Sequence, residues 1–184
     1  MIRKLGFSIN IYLAALLAIG AAGCAGGLSL KRKEVSTLRL HQVINPDGTE
    51  RCQKLQFLRS SPMTVWIDRS PFLNEGYVEK AAVVTNMGTY EIQVQFDHSG
   101  ALRLDSASVA MRGQRFAVYS DFGEGRCLAV PVFTHRITNG VLQFSADASL
   151  EEMLRIVRGL NNVSKYWQKQ KKKLEPTPRK PGEF

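Results

Sequence analysis

Tyr90-Glu91-Ile92-Gln93-Val94-Gln95-Phe96 alternates apolar and polar side chains without a break. A period of two is the mark of a half-buried β-strand, and this is the clearest one in the chain. On its N-terminal side Asn86-Met87-Gly88 reads as a turn and Val83-Val84-Thr85 as a β-branched run. Earlier still, Asn74 offers an N-cap before Glu75, and Tyr77, Val78, Ala81 and Ala82 share a helical face, which predicts a helix there. On the C-terminal side a helix is predicted over Ser99 to Met111, with Leu102, Ala107, Val109 and Ala110 inward and Gly113 as its stop.

The flanks extend the pattern. Gln114 to Tyr119 and Arg126 to Val130 read as strands joined by the loop Asp121-Phe122-Gly123-Glu124-Gly125. Pro131 lacks an amide hydrogen, which places this second strand at an edge or ends it. Phe133 to Thr138 and Val141 to Phe144 flank Asn139-Gly140, a hairpin signal. Asp147 or Ser149 caps a last helix bearing Leu150, Met153, Leu154, Ile156, Val157 and Leu160. Upstream, Asn45-Pro46-Asp47-Gly48 is a turn between two β-prone stretches, so residues 36–59 read as a β-hairpin. Hairpins interleaved with helices give an α+β class: an antiparallel sheet with two or three helices packed on one face.

The N-terminus carries a different signal. Arg3 and Lys4 precede an apolar run from Leu5 to Ala22, and Ala21-Ala22-Gly23-Cys24 closes it. That is the plan of a secretory signal peptide, and its terminal cysteine makes it resemble a bacterial lipoprotein signal. The resemblance implies removal of residues 1–23, lipid on Cys24 and an extracytoplasmic, membrane-tethered protein; the alternative is an uncleaved anchor. Ala25 after the cysteine leans toward the outer membrane. Residues 24–34 then form a flexible basic spacer, 35–164 the folded domain, and 165–184 a basic, proline-containing tail expected to be disordered.

In that compartment Cys52 and Cys127 are free to pair. A bridge closing about 74 residues is worth roughly 4 kcal/mol; two separate buried thiols are the other reading. The net charge of +9 does not point to nucleic acid, because the location is wrong and lysines crowd the last twenty residues. They suit an anionic lipid or polymer surface. His41, His98 and His135 are scattered, with no metal-ligand spacing, no phosphate loop and no nucleophile elbow. Asp97-His98 reads as a helix cap. The chain is expected to be non-catalytic, with no cofactor.

From about Pro62 to Leu160 the chain resembles the head subdomain of the first periplasmic domain of SecD, the protein-export subunit. The resemblance rests on ordered motifs: Ser61-Pro62-Met63-Thr64-Val65, Tyr77-Val78-Glu79-Lys80-Ala81, Phe96 with Gly100, and Gly113-Gln114-Arg115-Phe116-Ala117-Val118. Leu128-Ala129-Val130-Pro131, Ile137-Thr138-Asn139-Gly140 and Ile156-Val157-Arg158-Gly159-Leu160 complete the series. SecD's six transmembrane helices have no counterpart after Cys24, so proton-driven export does not carry over. What the resemblance implies is a head-like domain that holds polypeptide, or an envelope protein partner, outside the membrane. The expected surface is a sheet edge at Val130, Pro131 and Phe133, with apolar grooves beside the long helix. The competing expectation is a spacer whose basic tail contacts an anionic surface.

Overall fold

A computed structural model describes residues 34–174. The leader, Cys24 and the last ten residues lie outside them. The described chain runs β1 (Arg39–Gln42), β2 (Cys52–Phe57), β3 (Met63–Asp68), β4 (Leu73–Asn74), a 3-10 turn (Glu75–Tyr77), β5 (Val78–Asn86) and β6 (Thr89–Phe96). Helix α1 (His98–Ala110), β7 (Phe116–Asp121), β8 (Gly125–Ala129), β9 (Val141–Phe144) and α2 (Leu150–Leu174) follow. Every strand pair is antiparallel, and the class is α+β.

The alternating strand is the centre of one sheet, ordered β5-β6-β9. Ile92, Val94 and Phe96 are buried, and the polar residues between them are half-exposed on the other face. Met87 and Gly88 connect β5 to β6 with φ of 47° and 83°. Two positive φ values make the tight turn whose twist matches the strands. A second sheet, β4-β1-β7-β8, faces the same core. Leu40, Phe116, Val118 and Leu128 from it meet Leu104 of α1 and Met153, Ile156 and Leu160 of α2. Phe133 stacks on Phe116 with centroids 4.2 Å apart. The β2–β3 hairpin makes a smaller cluster on the outer face of that sheet, where Ile67 meets Ala117 and Cys127.

The structure departs from the sequence reading in five places. The strands of 36–59 exist but do not pair: β1 lies between β4 and β7, and β2 pairs with β3. The helix expected from Tyr77 to Ala82 is strand β5; only one 3-10 turn, capped by the Asn74 side chain, is helical. Helix α1 buries Gly100, Leu104 and Ser108, while Leu102 and Val109 are exposed. Asn139-Gly140 does not join two strands, because β9 pairs with β6 instead. Helix α2 continues to Leu174, through the first half of the tail read as disordered. Of the two caps offered by the sequence it uses Ser149, in a reciprocal arrangement: Ser149 N donates to Glu152 and Glu152 N to Ser149 Oγ.

Candidate interaction surfaces

The edge expected at Val130, Pro131 and Phe133 is closed. Phe133 is 2% exposed and belongs to the core. Its amide donates to Gln114 O at 3.1 Å, and the Pro131 carbonyl accepts from Phe116 N at 3.0 Å. The segment thus continues the ladder onto β7, and Val130 packs against the β2–β3 cluster. The far side of β8 is covered too, since Leu128 O accepts from Asp147 N at 2.7 Å. Arg126 on β8 lies between Glu152, at 3.3 Å, and Asp147, at 4.0 Å, and Glu152 also holds Arg59. As the proline signalled, β8 is the last strand of its sheet and ends at Ala129, but tertiary contacts occupy that edge.

One edge left open among the described residues is on β5. At its start, α2 side chains take the outward backbone groups. Asn161 donates to Ala81 O at 2.9 Å and accepts from Ala81 N at 2.8 Å, standing in for a neighbouring strand. Ser164 donates to Glu79 O at 2.6 Å and Gln168 to the same oxygen at 3.3 Å. Outward groups alternate along a strand, so those of Val83 and Thr85 also point away from β6. Among the described residues nothing is bonded to them. Beyond them the hairpin tip exposes Met87 fully and Tyr90 by 47%. No sequence signal distinguished this edge, because edge position follows from sheet order.

Beside the last turns of α2 runs a groove of about 850 Å3, lined by Val78, Glu79, Asp97, His98 and Tyr166 with several lysines. It lies beside the long helix as expected, but its walls are charged as well as apolar. Lys171 spans it, with Nζ 2.5 Å from Asp97 Oδ2 and 5.9 Å from the Tyr77 ring. Asp97 Oδ1 accepts from Gly100 N at 2.8 Å, so both its oxygens serve structure and His98 is not its partner. With Ser164, Gln168 and Lys171 turned toward the domain, Lys165, Lys169, Lys172 and Lys173 are exposed, the first three of them on the rim of the groove. Those four form no ion pair among the described residues, and Tyr166 and Trp167 beside them are 58% and 44% exposed.

Cys52 and Cys127 are both free, so the bridge entertained from the sequence is not formed. Cys52 Sγ donates to Asp47 Oδ1 at 2.9 Å, which is the largest cause holding that carboxyl well below the usual range. Cys127 is buried under the β2–β3 hairpin, and burial pushes its thiol up to about 11. Among the described residues no cluster of His, Cys, Asp and Glu could hold a metal ion. No helix of them is long and apolar enough to cross a membrane.

No family model matches the chain, and no curated protein matches it. Solved structures do. One, presented as the structure and function of a membrane component SecDF that enhances protein export, aligns with TM-score 0.52 and 17% identity over 70% of this chain. A crystal structure of SecDF in a super-membrane-facing form aligns equally well. The match spans 63% of the first structure's chain and 19% of the second's. At that identity the likeness concerns the fold, and by its fold this chain is SecD-like.

Proposed function

We propose that this protein is a non-catalytic, membrane-tethered, extracytoplasmic binder of extended polypeptide, acting in connection with protein export. Polypeptide adds as a strand to the outer edge of β5. The observation that carries this is the outward backbone groups of Val83 and Thr85, unbonded among the described residues on a strand whose other edge is paired with β6, beside a stretch that α2 seals with side chains. Strand addition reads backbone rather than sequence, which suits a client that is any unfolded chain. The description of the SecDF neighbour as a component that enhances protein export supports the setting. The leader ending at Cys24 supports the tether, with lipid on that cysteine and an outer-membrane destination. The test is fluorescence anisotropy of a labelled, permanently unfolded polypeptide with the full chain in detergent. Val83→Pro and Thr85→Pro each remove one outward amide without touching the β6 ladder. Both should weaken binding about tenfold; unchanged binding in two folded variants contradicts strand addition.

A second reading has its own support in the unpaired stripe Lys165, Lys169, Lys172 and Lys173 with its aromatic neighbours. There the domain is a spacer, and α2 presses on an anionic lipid or polymer surface. Salt separates the two: screening abolishes contact by exposed lysines and leaves strand addition nearly intact.

A further inference from the structure

Between the outer face of β1–β7 and the β2–β3 hairpin lies a pocket of about 280 Å3. Its polar wall is Arg39, His41, Gln53, Arg69 and Tyr119; Leu55 and Ile67 supply the apolar part. The register explains the grouping. Arg39 lies opposite Tyr119, with His41 two residues further along the same face of β1, and Gln53 lies opposite Ile67. Arg69 follows Ile67 by two residues and so shares its face. The pocket is therefore the wet mouth of the small cluster that Ile67 makes with Ala117 and Cys127.

Its electrostatics are one-sided. No carboxylate lines it. Asp68 is turned to other work, bonded to Arg51 at 2.7 Å and to Ser70 N at 2.9 Å. Among the described residues neither Arg39 nor Arg69 has an ion pair or a side-chain hydrogen bond. His41 is 6% exposed, and its Nδ1–H donates to Asp68 O at 2.8 Å. That bond fixes the tautomer and leaves Nε2 as the ring's remaining polar atom, without a partner among the described residues. Two arginines on the wall of one pocket whose lining holds no carboxylate suit a bound anion, which they can hold through charge-assisted hydrogen bonds.

We infer that this pocket is a binding site for a compact oxyanion, the carboxylate or phosphate group of a ligand. Arg39 and Arg69 are the charged donors, and His41 Nε2 donates once the ring is protonated. The volume admits such a group with a few waters. Burial first, then the neighbouring Arg39, lowers the His41 pKa, against the hydrogen bond to the Asp68 carbonyl and the charge of the Asp68 carboxylate, both of which raise it. The other groups facing it are Arg69 from the end of β3, Gln53 from β2 and Tyr119 from β7. An anion favours the imidazolium, so binding takes up a proton and tightens as pH falls. The inference is independent of strand addition on β5, which lies in the other sheet.

The experiment is NMR of the His41 ring in the full chain in detergent, titrated with inorganic phosphate at constant ionic strength in chloride. A parallel titration uses acetate. The expected result is a saturable shift with half-saturation on the order of 1–10 mM near pH 6, weaker by about tenfold near pH 8. Arg39→Gln and Arg69→Gln, both at exposed positions, should each weaken it about tenfold. Response to phosphate alone assigns a phosphoryl ligand, and response to acetate as well assigns a carboxylate. A shift that stays linear to about 100 mM in the parent chain, or one that both substitutions leave unchanged, overturns the site.

Discussion

Gly159 lies within α2 where the chain entering β1 crosses it. A methyl group there would collide with Ser36 Oγ and sit 2.7 Å from Ser36 N and 2.8 Å from Ser36 Cβ. Rotating the hydroxyl relieves the first contact only; the amide nitrogen moves only with the backbone. That backbone is pinned on both sides. Asn162 donates to Glu34 O at 3.0 Å, Ser120 Oγ donates to Thr37 O at 2.7 Å, and Thr37 N donates to Asp121 O at 2.8 Å. Leu38, just beyond, is 1% exposed in the core. Helix propensity alone makes Gly159→Ala stabilising by about 1 kcal/mol. Overpacking costs about 1–3 kcal/mol, and each hydrogen bond lost to relaxation costs about 1 kcal/mol more. The net expectation is destabilisation by about 1–3 kcal/mol, or a Tm lower by roughly 3–10 °C. Thermal unfolding of the full chain in detergent, followed by circular dichroism, reads the sign directly. Adding Ser36→Gly removes two of the three contacts and should recover part of the loss. A Gly159→Ala variant as stable as the parent, or more so, would refute the crossing geometry.

Asn161→Ala strips both partners from Ala81 and should cost about 2–4 kcal/mol in urea unfolding, because two backbone groups lose their bonds; a cost within experimental error would mean that water replaces the amide freely. Ser149→Ala removes half of the reciprocal cap on α2 and should cost about 1 kcal/mol by the same measurement. In alkylation followed by peptide mapping, Cys52 should label in the native chain, and Cys127, buried with its thiol at about 11, only after unfolding. Equal labelling of both would contradict the packing of the β2–β3 hairpin. The backbone hydrogen bond from Ser70 and the Arg51 guanidinium hold the Asp68 carboxyl below its ordinary value. A depressed folded pKa contributes stability above the unfolded value of about 4 and loses it as pH falls through the folded one. Stability should therefore decline in acid below about pH 4, less steeply in Asp68→Asn; identical acid profiles would remove Asp68 from the account.

Local order was legible where a side-chain pattern matches a single period. Tyr90 to Phe96 could only be a half-buried strand, and a cap at Asp147 or Ser149 before a spaced apolar run announced the last helix. Residues Tyr77 to Ala82 misled because their spacing fits a helical face, while the partner that holds them extended, Asn161, is 80 positions away. The false 36–59 hairpin has the same cause. Its turn residues are real, but β1 finds β7 across some eighty residues, with Arg39 opposite Tyr119. The basic tail read as disordered because its composition lacks apolar residues. Gln168 and Lys171 dock its first half through polar contacts that no hydrophobic pattern reveals. Surfaces fared worst. Pro131 marked an edge that the 145–148 loop covers, whereas the open edge of β5 has no composition of its own. The two arginines of the oxyanion pocket are thirty residues apart and meet only because the β2–β3 hairpin lies against the outer face of the second sheet.

Strand addition on β5 is tested most directly by amide hydrogen exchange at Val83 and Thr85 in the full chain, with and without saturating unfolded polypeptide. The outward amides of these two residues should exchange fast in the free protein and gain protection of about tenfold or more when polypeptide is bound. Ala81, already bonded to Asn161, should change little. Polypeptide binding that leaves Val83 and Thr85 as exposed as before would contradict the account and move the contact elsewhere on the domain.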